Sequence, residues 1–289
     1  MKVLLLGAGG MLGQDLVATT PQEVSLLPLT HAALDISDTE SMRACVEQFR
    51  PELIINAAAY TAVDKAETEP QLAFRVNAEA VEQLGRLAAA VRARLLHFST
   101  DYVFDGTASQ PYREDADPAP LNQYGASKLA GERALKQTNA EFLIVRTQWL
   151  FGSNGRSFPK TMLERARRGL KTTVVTDQLG RPTFTRDLAV AVWALVGLPL
   201  VGVLHVANSG TATWFEVADR VFAALGVRSL LAGCTTAEYA TAAQRPLRSV
   251  LDTTAHEVAT GHALPHWEQA LAEFIETMRR TVDQQHSSR

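Results

Sequence analysis

Cysteine is nearly absent from this chain of 289 residues, with Cys45 and Cys234 the only two. They lie far apart without metal-ligand spacing, which argues against a disulfide framework or a zinc site and fits free thiols in a reducing compartment. A basic surplus is missing too: 28 Lys and Arg stand against 31 Asp and Glu, a formal net charge of -3. No basic face is available for nucleic acid, and no polybasic segment for anionic lipid. A signal peptide does not fit, since an apolar strand begins at Lys2 with no polar flank or cleavage site, so the cytoplasm is the expected location. The longest uncharged stretch, 188–204, is broken by Gly197, Pro199 and Gly202. It reads as a buried helix, turn and strand, and no membrane partner is expected.

What is present is an alternation of short apolar runs with longer amphipathic ones, the pattern of a parallel sheet with crossover helices. Strands are expected at Lys2–Leu6, Glu23–Leu29, Leu53–Asn56, Leu95–Ser99 and Phe142–Arg146, with helices at Gly10–Thr19, Thr39–Gln48, Gln71–Val91 and Tyr124–Thr138. Asp38 or Thr39 supplies an N-cap for the second helix, and Pro51 ends it. The run Asp105 to Pro120, with Gly106 and three prolines, reads as a loop long enough to form part of a site. The fold class is α/β: a Rossmann-like doubly wound parallel sheet with a smaller C-terminal substrate lobe. The dinucleotide-binding domain is expected over 1–150 plus about 186–206. The substrate lobe takes 151–185 and 207–280, and 281–289 form a polar, fraying tail.

Three segments carry chemistry. Gly7, Gly10 and Gly13 follow directly on Val3-Leu4-Leu5-Leu6. A buried strand that breaks into glycines and opens a helix brings backbone N–H groups, here around Met11 and Leu12, up to a pyrophosphate. A tight turn needing positive φ would use the same glycine. Tyr124 and Lys128, four residues apart on a helix, share one face, and an ammonium near a phenol favours the phenolate. Ser99, Thr100 and Asp101 follow the strand ending at Phe98, where parallel sheets bind ligands, although the same residues suit an N-cap or turn.

Together these segments resemble the extended short-chain dehydrogenase/reductases, with their Gly-x-x-Gly-x-x-Gly edge, Ser/Thr and Tyr-x-x-x-Lys. Within them the chain is similar to the dTDP-4-dehydrorhamnose reductase family. The strings Asn56 to Glu67, Ser99 to Asp105, Tyr124 to Glu132, Arg146 to Gly152, Asp177 to Thr183 and Arg245-Pro246 carry that likeness. The resemblance implies Tyr124 as proton donor to a keto oxygen, Lys128 lowering its pKa and holding the nicotinamide ribose, and Thr100 bonding the same oxygen. It implies a cofactor bed of Gly7, Gly10, Met11, Leu12, Gly13, Thr30, His31, Asp35, Ile36, Ala57, Ala58, Ala59, Thr61 and Asn77, the last beginning the long helix. Substrate contacts would fall to Thr100, Asp101, Tyr102, Trp149 and Arg245. Asn77 also suits a plain helix position, Trp149 a core site, and Arg245 or Arg181 a structural ion pair.

The implied reaction is NAD(P)H-dependent reduction of the C4 ketone of dTDP-4-dehydro-6-deoxy-L-mannose to dTDP-L-rhamnose. Tyr102 stands where related 4,6-dehydratases carry a glutamate, which disfavours elimination of water. Thr30 and His31 occupy the end of the second strand in place of an acidic residue, which favours NADPH with NADH tolerated. A reductase or epimerase of another nucleotide sugar, or a silent regulatory subunit like that of methionine adenosyltransferase, stays open. So do a homodimer and a divalent ion such as Mg2+; no residue grouping has metal-ligand spacing. His97 and His205 read as core histidines, and Asp64 to Glu67 as a solvated helix start.

Overall fold

A computed structural model describes residues 1–287. Its centre is a six-stranded, fully parallel sheet. The strands are β1 (Lys2–Leu6), β2 (Ser25–Leu29), β3 (Leu53–Asn56), β4 (Arg94–Thr100), β5 (Glu141–Thr147) and β6 (Gly202–His205). Their spatial order, 6-5-4-3-1-2, puts the topological switch between β1 and β3, the place where such sheets open a crevice at their carboxyl ends. Val3 to Leu6 and Leu53 to Asn56 are buried on both faces, which is why they read as unbroken apolar runs.

Helices α1 (Met11–Ala18), α2 (Thr39–Phe49), α3 (Ala80–Val91) and α4 (Gln123–Lys136) accompany the first half of the chain. Asp38 caps α2 by accepting from the Ser41 N–H, and Arg50 ends it in left-handed geometry, one residue before Pro51. The helix expected to run from Gln71 through Val91 is divided. Pro70–Phe74 is α-helical, Arg75–Glu79 forms a π turn, and α3 follows. Asn77 therefore sits inside that helical run and does not begin it, a correction that matters for the site.

In the second half, α5 (Phe158–Arg167), α6 (Thr185–Val196), α7 (Trp214–Ala224) and α8 (Trp267–Ser287) follow. The uncharged stretch forms α6, a turn and β6, as expected, although Val190 and Val201 face solvent at 56% and 63% exposure. The Trp193 indole donates to the Leu16 carbonyl, docking α6 on α1. Arg94 donates to the carbonyls of Val196, Leu198 and Leu200, satisfying groups at the end of α6 that have no helical partner. A separate core gathers Phe151, Phe184, Phe222, Trp267, Leu271 and Phe274 beneath α5, α7 and α8. The expected polar tail continues α8 as far as Ser287, and residues 288 and 289 lie outside the described residues. No helix among the described residues is long and apolar enough to cross a membrane.

Candidate active site

The glycine edge is built for close approach. Gly7 has φ +81°, and a Cβ there would lie 2.6 Å from the Ala58 nitrogen, so the loops after β1 and β3 touch only because it has none. A Cβ on Gly13 would meet the Gly7 carbonyl oxygen at 2.2 Å, which lets α1 seat against the strand end. Gly10 caps α1 with no side-chain acceptor, leaving the N–H groups of the first turn, Met11 and Leu12 among them, to a ligand. The side chain of Leu12 is itself packed in the core. This glycine cradle and bare helix end fit a dinucleotide.

Thr30 follows β2 beside Gly9. Asp35 turns inward on its own loop, accepting from the N–H and hydroxyl of Ser37, bonds that hold its carboxyl below the usual range; His31 and Arg75 add to this electrostatically. The Ile36 side chain is buried in the core, which leaves only its backbone for a ligand. The loop Ala57 to Thr61 is held by Asn77, whose amide accepts from the Tyr60 N–H at 2.9 Å and donates to its carbonyl at 3.0 Å. Asn77 also donates to Ser127 Oγ, and Ser127 to the Tyr124 carbonyl. The π turn aims this asparagine, locking the loop to α4.

Thr100, Tyr124 and Lys128 converge at the carboxyl end of β4. Thr100 Oγ1 caps the short turn Asp101–Val103 by accepting from the Tyr102 N–H, and it donates to Asp101 Oδ1 at 3.1 Å. It also lies near enough to the Tyr124 phenol to draw its pKa down. The capping and ligand-facing readings of this segment thus describe one residue. α4 starts where it does because Asn122 accepts from the Gly125 N–H and Glu67 from the Gln123 N–H. The Tyr102 and Tyr124 rings meet in a T-shaped arrangement, their centroids 5.8 Å apart.

Burial dominates the electrostatics of the site. Burial raises the Tyr124 phenol to about 12, opposed by the Thr100 hydroxyl and reinforced by nearby Asp101. Lys128 Nζ donates to the Phe98 carbonyl at 2.6 Å and lies 3.3 Å from His97 Nε2. Burial in turn brings Lys128 down to about 8, against the pull of Glu132. Asp101 is 2% exposed, accepts from Thr100 and Ser249, and is raised by burial to about 7.

A cleft of about 710 Å³ opens beside these residues, lined by Tyr102, Arg245, Trp214, Arg165, Lys171 and Gln178 among others. Arg165, on α5, and Lys171, in the loop after it, were not singled out from sequence, because lone cationic side chains there have no spacing to mark them; Gln178 lies in the string Asp177 to Thr183 that carries the family likeness. Trp149, in left-handed backbone at φ 48°, stacks on Trp214 at 3.7 Å, and the missing side chain of Gly180 makes room for its indole. The guanidinium of Arg245 is forked onto Asp64 through both terminal nitrogens. Asp64 is therefore paired, while the short helix Val63–Ala66 that carries it is the solvated helix start expected there, with Asp64 and Lys65 both exposed. Arg181 turns to Thr253 and is held partly buried. His97 and His205 are fully buried. No cluster of metal-ligating side chains occurs among the described residues.

The fold and this residue set are those of an extended short-chain dehydrogenase/reductase. A family model described as the RmlD substrate binding domain matches residues 1–280, and the chain belongs to that family. A probable dTDP-4,6-dihydroxy-2-methyloxan-3-one 4-ketoreductase from Streptomyces antibioticus is 42% identical, covering 94% of this chain and 94% of that protein. The dTDP-4-dehydrorhamnose reductase of Escherichia coli (strain K12) is 37% identical over 98% of this chain and 99% of its own. The crystal structure of dTDP-4-dehydrorhamnose reductase from Bacillus anthracis str. Ames in complex with NADP superposes with TM-score 0.92 at 37% identity, covering 96% of this chain and 99% of that one.

Proposed function

We propose that the protein reduces the C4 ketone of dTDP-4-dehydro-6-deoxy-L-mannose to dTDP-L-rhamnose with NADPH, NADH being tolerated. The observation that carries this reading is the convergence of Thr100, Tyr124 and Lys128 at the carboxyl end of β4, where Tyr124 meets Tyr102 of the cleft wall. A bound reduced nicotinamide supplies hydride to the ketone carbon. Tyr124 donates the proton: its raised pKa keeps the phenol protonated across neutral pH, the state a donor needs. Thr100, beside that phenol, adds a hydroxyl at the oxygen where charge grows. Lys128, one helical turn on, stabilises the phenolate left behind and holds the ribose.

The cofactor bed is assigned to Gly7, Gly10, Met11, Leu12, Gly13, Thr30, His31, Asp35, Ile36, Ala57 to Ala59, Thr61 and Asn77, with Asn77 acting through the loop it clamps. The absence of an acidic side chain at Thr30 and the nearness of Arg75 support acceptance of a 2′-phosphate. Asp101, Tyr102 and Trp149 border the sugar nucleotide. Arg245 does so as a half of an ion pair, its fork already filled by Asp64.

Tyr124→Phe is expected to fold and bind NADPH while losing at least about a hundredfold in turnover, the scale of a lost general acid. Turnover like the parent's would remove Tyr124 from this role. NADPH consumption across dTDP-, GDP- and UDP-linked 4-keto sugars tests the substrate, and binding without oxidation of any would favour a regulatory subunit.

A further inference from the structure

Behind Lys128, a chain of hydrogen bonds runs through the sheet from the dinucleotide loop. The Ala58 N–H donates to Asn56 Oδ1 at 3.1 Å. This fixes the amide, so Asn56 Nδ2 faces His97 Nδ1 at 3.1 Å and that nitrogen must accept. The neutral ring then carries its proton on Nε2, which faces Lys128 Nζ at 3.3 Å. An ammonium has no lone pair to accept it; a neutral amine has one. The opposite arrangement serves a charged lysine. His97 Nε2 then accepts from the ammonium, Nδ1–H donates to a reversed Asn56 amide, and the Ala58 N–H loses its acceptor. All three of Asn56, His97 and Lys128 are buried at 2% exposure or less, so water is not at hand to repair either mismatch.

We propose that Asn56 and His97 are positioning residues that form a two-state relay, tying the protonation of Lys128 to the backbone N–H of Ala58 beside the glycine cradle. Charge on the lysine and a capped Ala58 N–H exclude one another. The inference rests on the reading of Lys128 as the cofactor-side lysine of the reductase. Other ionisable groups around it are Glu132 and Tyr124 on its own helix, His97 and Asp101 on or just beyond β4, and Arg146 on β5, which takes the Glu132 carboxylate. The buried His97 is held neutral, by burial first and by Lys128 second, so its change is one of tautomer and not of charge.

The test uses the full-length protein without cofactor or substrate, labelled with 15N and titrated between about pH 6 and about pH 10, two units either side of the lysine's value of about 8. The expected result is a His97 that changes from the Nδ1–H to the Nε2–H tautomer as pH rises, with the Ala58 amide resonance moving at the same midpoint. A single His97 tautomer throughout, or an Ala58 amide that ignores the transition, overturns the relay. Asn56→Asp sharpens this, because a carboxylate accepts from Ala58 and His97 together. That variant should hold Nδ1–H across the range and move the pH midpoint of NADPH binding up by about one unit, a tenfold change in the charged-to-neutral ratio. If both stay as in the parent, the proposal fails; if the variant does not fold, the parent's titration decides alone. A Tyr124→Phe enzyme with full turnover would sink the reductase reading and leave this titration untouched.

Discussion

The rim of the sheet and the lobe that faces it hold their shape by opposite means. At the rim, buried polar groups fix one another: Asn77 to Tyr60 and Ser127, Asp101 to Thr100 and Ser249, Arg146 to Glu132. Across the cleft the supports are rings: Trp149 on Trp214, Phe158 against Trp214, Phe151 with Phe184 and Phe274. A satisfied polar network admits one geometry, which proton transfer demands, while apolar packing tolerates volume-conserving change. Reaction and recognition can therefore be perturbed separately.

The largest expected break is at Arg146→Met. It leaves the Glu132 carboxylate, 0% exposed, without the guanidinium that now grips both its oxygens. Removing one partner of such a buried pair costs about 3–5 kcal/mol, and a fall of that size in denaturant-measured stability is expected. Replacing Arg146 and Glu132 together by apolar residues should recover much of it, because no orphaned charge remains.

Asp101 gives the next effect. Its folded pKa of about 7 lies above the ordinary 3.8. Its contribution to stability is then complete below about pH 4 and is lost as pH rises through about 7. Asp101→Asn should flatten the stability profile over that window. It should also lower kcat, because Thr100 loses a charged acceptor. A profile that keeps its slope would place the titration elsewhere.

The lobe should answer differently. Trp214→Leu removes the stack under Trp149, worth about 0.5–1.5 kcal/mol. KM for the sugar nucleotide is expected to rise by up to about tenfold with kcat nearly unchanged. A fall in kcat alone would mean that the two regions are not independent.

The same contrast explains what could be read from sequence. The strands, the glycine edge and the Tyr124–Lys128 face were legible because each is a local pattern with its own period or spacing. The π turn was not, since Gln71 to Val91 keeps a helical pattern through it and only the partners of Asn77 reveal why the chain bulges there. Nor were the links that complete the site. Ser249 reaches Asp101 across 148 residues, and Arg245 reaches Asp64 across 181. Side chains joined at such separations leave no mark in a window of sequence. Spacing on a helix puts Tyr124 and Lys128 on one face, but it gives no sign of the burial that raises the phenol or of the Phe98 carbonyl that takes a Lys128 N–H.

The smallest expected effect lies where rim and lobe meet. The hydrogen bond from Arg245 is the main cause holding the Asp64 carboxyl at about 2, and Asp64 is 49% exposed. Solvent screening limits such a pair to about 1 kcal/mol or less. Because the folded pKa is depressed, that stabilisation is present above about pH 4 and disappears as pH falls through about 2. Asp64→Asn should therefore cost little at neutral pH and nothing at about pH 2. Its clearer signature is in binding: Arg245, released from the fork, lines the cleft with Nη2 free for an anionic ligand, while Nη1 keeps its bond to the Ala243 carbonyl. A tighter, salt-sensitive KM for the sugar nucleotide in Asp64→Asn would make the ion pair a restraint on that arginine, whereas an unchanged KM would leave it a strut between the two regions.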